Sequence, residues 1–201
     1  MKILKEARQM KYSKLYDAIS SYINLEEEEK KLIQSFFKYE YAEKGKSLIK
    51  EGELADKAYF ILSGYLKYFK ILESGNELII HLYTPKSFAL SLKSFFLGAK
   101  AEESLQAITD CEYLWITEKD LENLYSVSYK WHSFGRKLLE DALIEKEERV
   151  IDQLTLTAQD KYKKLLRKQP DVIQNVPVKY IASFIGVQPE SLSRIRSEII
   201  I

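Results

Sequence analysis

The run YFILSGYLKYFKILESGNELIIHLY, residues 59–83, decides how the first half of the chain folds. It holds three apolar segments rich in Tyr, Phe, Ile and Leu, at 59–62, 65–72 and 78–83. Ser63-Gly64 separates the first two, and Glu73-Ser74-Gly75-Asn76 the last two. Residues 65–71 partly alternate apolar with charged side chains, as a strand with one polar face does. Ser74-Gly75-Asn76 suits a tight hairpin turn. The pattern continues on both sides: Leu48-Ile49 precedes the turn Glu51-Gly52-Glu53, Thr84-Pro85 closes the third segment, and a last strand is expected at 113–116. Short apolar segments broken every eight to twelve residues or so, here between about 46 and 116, predict an antiparallel sandwich or barrel.

The flanks read differently. Residues 1–44 carry helical spacing, with Leu15, Ile19, Tyr22 and Ile23 in one helix. Leu32, Ile33, Phe36 and Phe37 form the apolar side of a second, after the acidic run 26–29. Residues 118–156 return to helix, and about 130–154 has neither proline nor a turn signal apart from Gly135. There Leu139, Leu143, Val150 and Leu154 are spaced four, seven and four apart, a coiled-coil-like stripe, and 145–149 (EKEER) sets charge on and beside it. Such a stripe can pack on its own sheet or pair with its twin. A partly apolar helix that joins two domains needs a partner for its stripe, which favours the dimer.

Composition narrows the function. The chain has 201 residues, 46% hydrophobic and 30% charged, enough for one large or two small cores. The single Cys111 excludes an intramolecular disulfide and a cysteine-ligated cluster, and is expected to be a small buried apolar residue. His81 and His132 alone make a histidine-rich metal site a poor reading. No cofactor and no metal are expected. No apolar run approaches a membrane span and the N-terminus lacks a signal-peptide pattern, so a cytoplasmic protein is expected. The net charge of +1 is uneven. Residues 158–201 hold eight Lys/Arg against four Asp/Glu, leaving −3 for the rest. A basic tail on a mildly acidic body suits a polyanion partner for the tail.

Within that tail lies VKYIASFIGVQPESLSRIRSEI, residues 178–199. A first helix is predicted from about 178 to 184, with Ile181 and Ala182 facing inward. Gly186 permits a sharp turn, and Pro189 suits the first position of the next helix. At 100° per residue, Leu192, Ile195 and Ile199 share one face of that second helix. Glu190, Ser193, Arg194 and Ser197 share the opposite one, which a DNA major groove can meet. Arginine can donate two hydrogen bonds to guanine, and glutamate can accept from cytosine. Four apart, Glu190 and Arg194 can also pair and hold the arginine in place. Lys179, Gln188 and Ser191 are candidates for phosphate contacts that fix orientation. The competing reading is an ordinary helical hairpin with a polar side.

From about 46 to 196 the chain resembles the cyclic-AMP receptor protein / fumarate-nitrate regulator (Crp/Fnr) superfamily of bacterial transcription factors. The matching signals are Glu51-Gly52-Glu53, Tyr59-Phe60-Ile61-Leu62-Ser63-Gly64, Gly75, Ile181-Ala182, Gly186-Val187 and Glu190-Ser191-Leu192-Ser193-Arg194-Ile195. The resemblance implies an α+β chain in three parts: a jelly-roll-like β-roll sensory domain at 1–128, a long dimerisation helix at 129–157, and a winged-helix-like helix-turn-helix domain at 158–201. It implies a homodimer on a two-fold symmetric double-stranded DNA operator, with RNA polymerase as a further partner and no membrane. Glu190 and Arg194 then stand where the family places a base-contacting glutamate and its second arginine, while Pro189 takes the place of the first arginine.

In the sensory domain the family's phosphate-binding residues are replaced. The Gly-Glu-Leu turn aligns with Leu90-Ser91-Leu92, and the later Arg-Ser pair falls near Ala101-Glu102, followed by Glu103. Carboxylates in place of cations repel a cyclic phosphate. Cyclic AMP is therefore not expected as effector, and the effector stays unknown. The iron–sulfur branch is excluded by cysteine count. A regulator is favoured over a ligand-binding or protein-interaction module whose C-terminal helices do not touch DNA. Without a convergent catalytic set, a jelly-roll enzyme is the weakest reading.

Overall fold

The computed structural model describes residues 2–199, and side chains from Lys11 onward. Two helices, α1 (Lys2–Ser20) and α2 (Glu27–Phe36), lead into β1 (Lys38–Ala42), β2 (Ser47–Ile49), β3 (Lys57–Ser63), β4 (Leu66–Ile71), β5 (Glu77–Tyr83) and β6 (Phe88–Ala89). The short α3 (Leu92–Leu97) precedes β7 (Ser104–Ala107) and β8 (Cys111–Thr117). Then come α4 (Glu118–Val127), α5 (Tyr129–Thr155), α6 (Ala158–Lys168), α7 (Pro170–Asn175), α8 (Val178–Ile185) and α9 (Pro189–Ile199). The strands form two antiparallel sheets, β1-β8-β3-β6 and β2-β7-β4-β5.

The alternation of β3 explains how the sheets are buried. Tyr59 and Ile61 point between the sheets, where they meet Ile49, Leu66, Leu105, Cys111 and Tyr113. Phe60 and Leu62 point the other way, into a second core with Leu15, Ile19, Ile33, Leu114, Leu124, Trp131 and Phe134. A strand covered on both faces reads as an unbroken apolar run, as YFIL does. The other sheet is covered too. Phe69, Ile79 and Leu82 of β4 and β5 face outward into a third core with Tyr162, Leu165, Val172, Ile181, Ile185 and Leu192 of α6–α9. The C-terminal helices therefore sit on the roll as well as on α5.

Two expectations need correction. Residues 38–42 form a strand, not helix, because alternating Lys38-Tyr39-Glu40-Tyr41-Ala42 pairs along its length with β8. The acidic run lies in the first turn of α2 rather than ahead of it, where it favours the helix dipole. Gly64 is required by packing as well as by its turn. Its φ is +87°, and a Cβ there would lie 2.3 Å from the Asp110 carbonyl oxygen and 2.5 Å from Cys111 Sγ. Backbone strain and overpacking predict that Gly64→Ala loses roughly 3 kcal/mol. Urea unfolding checks this, and an unchanged midpoint would refute the close approach.

Candidate nucleic-acid interface

The turn between α8 and α9 is fixed by its backbone. Gly186 adopts φ +82°, its N–H donates to Ser183 O at 3.2 Å, and the Val187 N–H donates to Ala182 O at 2.9 Å. This pair is the Schellman pattern, which glycine enters without strain. Pro189 then opens α9. Ile181, Ala182, Ile185 and Leu192 are buried, and Ile195 and Ile199 pack beside them. The inward face is the one the spacing predicts.

The outward face is polar. Lys179, Gln188, Glu190, Ser191, Ser193, Arg194 and Ser197 are exposed, and Pro189 is half-buried. Ser193 Oγ donates to the Pro189 carbonyl at 3.0 Å and Ser197 Oγ to the Arg194 carbonyl at 2.8 Å, so both hydroxyls turn back on their own helix. Among the described residues no ion pair joins Glu190 to Arg194. The expected pairing is not made, since an exposed pair gains too little to hold two long side chains together. Among the described residues the Arg194 side chain makes no ion pair. The basic surplus is also smaller than the tail's count suggests. Lys164 bonds Asp152, Lys168 bonds Glu148 at 2.9 Å and Lys161 bonds Gln153 at 2.9 Å, all on α5. Lys163, Arg167, Lys179 and Arg194 remain exposed.

The residues expected to line an effector pocket differ in their surroundings. Ser91 is buried and starts α3, whereas Leu92 is exposed. Leu90 is half-buried. Ala101 is buried, its backbone bonded to Gly52 and Glu53. Glu102 turns outward to Lys93 at 2.6 Å, so this carboxylate is compensated, contrary to expectation. Glu103 accepts from Tyr68 Oη at 2.8 Å. Inside the roll lie Tyr68 and Tyr83, ring centroids 6.4 Å apart, with the His81 ring 4.3 Å from that of Tyr83. Period two along β4 and β5 could have placed these three on the inner face. Burial, then the hydrogen bond to Glu103, raises the Tyr68 pKa, and burial raises that of Tyr83. Burial also pushes the pKa of the buried Cys111 thiol up. His132 is exposed and stacks on Tyr125.

Burial, with the positive charges of Arg149 and Lys146, lowers the His81 pKa to about 4. Between pH 4 and the unfolded value of 6.5 the unfolded chain binds the extra proton, so stability present at pH 7 is lost as pH falls through that window. The stability difference between wild type and His81→Leu should change by about 2 kcal/mol between pH 7 and pH 4.5 or so. A pH-independent difference in urea titrations would show that the ring is not held neutral.

A β-roll flanked by helices thus carries a pair of helices joined by a glycine turn, α8 and α9, on its second sheet. Residues 39–128 match the cyclic nucleotide-binding domain family. No curated protein matches the sequence. The fold is shared with FixK2 from Bradyrhizobium japonicum, at 16% identity, 81% of this chain, 84% of that one and a TM-score of 0.71. It is also shared with CLP, the c-di-GMP-responsive global regulator of Xanthomonas campestris, at 16% identity, 87% and 91% coverage and a TM-score of 0.66. The Thermus thermophilus catabolite activator protein matches at 19% identity, 91% and 86% coverage and a TM-score of 0.57. The chain thus shares the α+β fold of these structures, and its residues 39–128 resemble a cyclic nucleotide-binding domain. Among the described residues no helix is long and apolar enough to cross a membrane.

Proposed function

We propose that the chain is a dimeric, sequence-specific DNA-binding transcription regulator. Residues 1–128 form the sensory roll, 129–157 the dimer helix and 158–201 the DNA-binding part. The observation that carries this is α9: Leu192 seats it, and Glu190 and Arg194 stand exposed on the face opposite. Lys179, Gln188 and Ser191 lie near the helix N-termini and would position phosphates, while Glu190 and Arg194 read base edges. Supporting the dimer, Leu139, Leu143, Val150 and Leu154 of α5 are all exposed. Ile144 and Ile151, which the spacing of four, seven and four passes over, are exposed beside them.

Selection of bound sequences from a random DNA pool tests the proposal. A two-fold symmetric consensus whose affinity falls steeply with salt is expected. No enriched sequence, or binding indifferent to salt, would favour a protein-interaction module. The roll is not expected to answer to cyclic AMP. Tyr68 already engages Glu103, the basic side chain of α3, Lys93, is taken by Glu102, and tyrosines fill the interior. Calorimetry with cyclic AMP and cyclic GMP should show no heat of binding at micromolar concentration; saturable micromolar binding overturns this part.

A further inference from the structure

β5 is the last strand of its sheet, so its outer edge has no strand to pair with. The ladder to β4 also slips: Tyr68 faces His81 but Phe69 faces Ile79, which leaves Ile80 as an extra residue on β5. The backbone polar groups of a bulged residue fall out of the ladder. Unpaired strand edges and bulges need partners when they are covered.

Side chains from two helices supply them. Ser183 of α8 accepts from the Ile79 N–H at 3.0 Å and donates to the Glu77 carbonyl at 2.9 Å, as a neighbouring strand would. Arg149 of α5 donates to the carbonyl of Ile80, the bulged residue. Its second amino group reaches the Ile79 carbonyl at 3.4 Å and the Phe184 carbonyl at 3.5 Å. The guanidinium lies 3.9 Å from the Phe184 ring centroid. Phe184 is in the last turn of α8, where the dipole is negative, and its carbonyl also accepts from Gln153 Nε2 of α5 at 3.1 Å. Of the acids on α5, Glu148 bonds Lys168 and Asp152 bonds Lys164, while Glu145 acts on Arg149 through its charge without an ion pair among the described residues. The carbonyls thus hold the cation in place. On the same sheet, buried Lys67 of β4 bonds Glu77 and reaches Tyr180 Oη of α8 at 3.3 Å.

We propose that Arg149 is a positioning residue: clamped between the bulged edge of β5 and the C-terminal end of α8, it fixes the angle of α8 and α9 to the roll and to the dimer helix. The clamp stands on these contacts alone; its consequence for DNA rests on the function proposed above. With the angle fixed, the separation of the two α9 helices in a dimer is fixed, and so is the half-site spacing they accept.

The full-length protein is compared with Arg149→Met, which keeps a long apolar stem, and with Arg149→Lys, which keeps charge but not the fork. Hydrogen exchange at β5 and α8 should quicken about tenfold or more in Arg149→Met, with β3 unchanged. Arg149→Lys should recover part of the protection. On DNA, Arg149→Met should tolerate spacers that the wild type rejects. Unchanged exchange at β5 and α8 overturns the clamp whether or not DNA is bound. Faster exchange with unchanged spacer preference on bound DNA overturns the positioning role. Should Arg149→Met unfold throughout, Ser183→Ala removes one hydroxyl and carries the same exchange readout at the Ile79 amide.

Discussion

Arg194→Ala should reduce binding to the selected operator to nearly the level of random DNA. A bidentate arginine–guanine contact discriminates by about 1–3 kcal/mol, and a two-fold protein makes it twice. The expected loss is therefore about 2–6 kcal/mol, or roughly 30-fold to 10⁴-fold. Stability should hardly move, because Arg194 is exposed and is not tied to Glu190. Arg194→Lys separates charge from geometry. It should keep most of the salt dependence yet relax the preference at one base pair, because an ammonium lacks the planar fork. Lys179→Ala supplies the contrast: weaker binding across all sequences and a salt slope shallower by about one. Titrations at fixed salt, followed by a second selection, would check all three variants. An Arg194→Ala protein that keeps both affinity and consensus would remove α9 from the reading of DNA.

How far such a surface is legible in sequence depends on whether its determinants are local. Gly186, Pro189 and the helical spacing of Leu192, Ile195 and Ile199 lie within one short stretch, so the turn and the two faces of α9 could be read directly. The strands of 59–83 announce themselves in the same way, through alternation and Gly75. Phe88-Ala89 is too short to carry a period. Ser104–Ala107 is a strand because it lies between β2 and β4. Residues 38–42 were hidden by a helical neighbour, and only their pairing with β8 makes them a strand.

The parts joining the two halves were not legible. Arg149 sits in Glu145-Lys146-Glu147-Glu148-Arg149 as one charge among five. Its partners are 69 and 35 residues away, and one of them exists because β5 bulges. The basic surplus misled for a related reason. Counting from residue 158 cuts Lys164 and Lys168 away from the acids of α5 that neutralise them. Those cations tie the last helices to the long one and leave fewer for a polyanion.

The long helix carries the other large expectation. Leu143→Asp combined with Leu154→Asp should make the protein a monomer at micromolar concentration. Leu143 is 69% exposed and Leu154 81%, so neither helps hold the isolated chain together. Their environment must come from a second copy if it comes from anywhere. Each apolar side chain of that size gains about 1.5–3 kcal/mol when fully buried. Four positions on each of two helices supply enough to overcome the roughly 4–15 kcal/mol cost of association. Two aspartates per chain remove part of that gain and force carboxylates together in a drying seam, at a cost of several kcal/mol more. The fold should survive, since surface substitutions away from packed features usually change stability by less than about 0.5 kcal/mol. Operator affinity should nonetheless fall about 100-fold or more, because each half-site is then bound without the effective concentration its twin provides. Sedimentation equilibrium reads the mass and DNA titration the affinity. A variant that stays dimeric would place the interface elsewhere. A monomer that keeps full affinity would mean that one α9, not two, suffices to read the DNA.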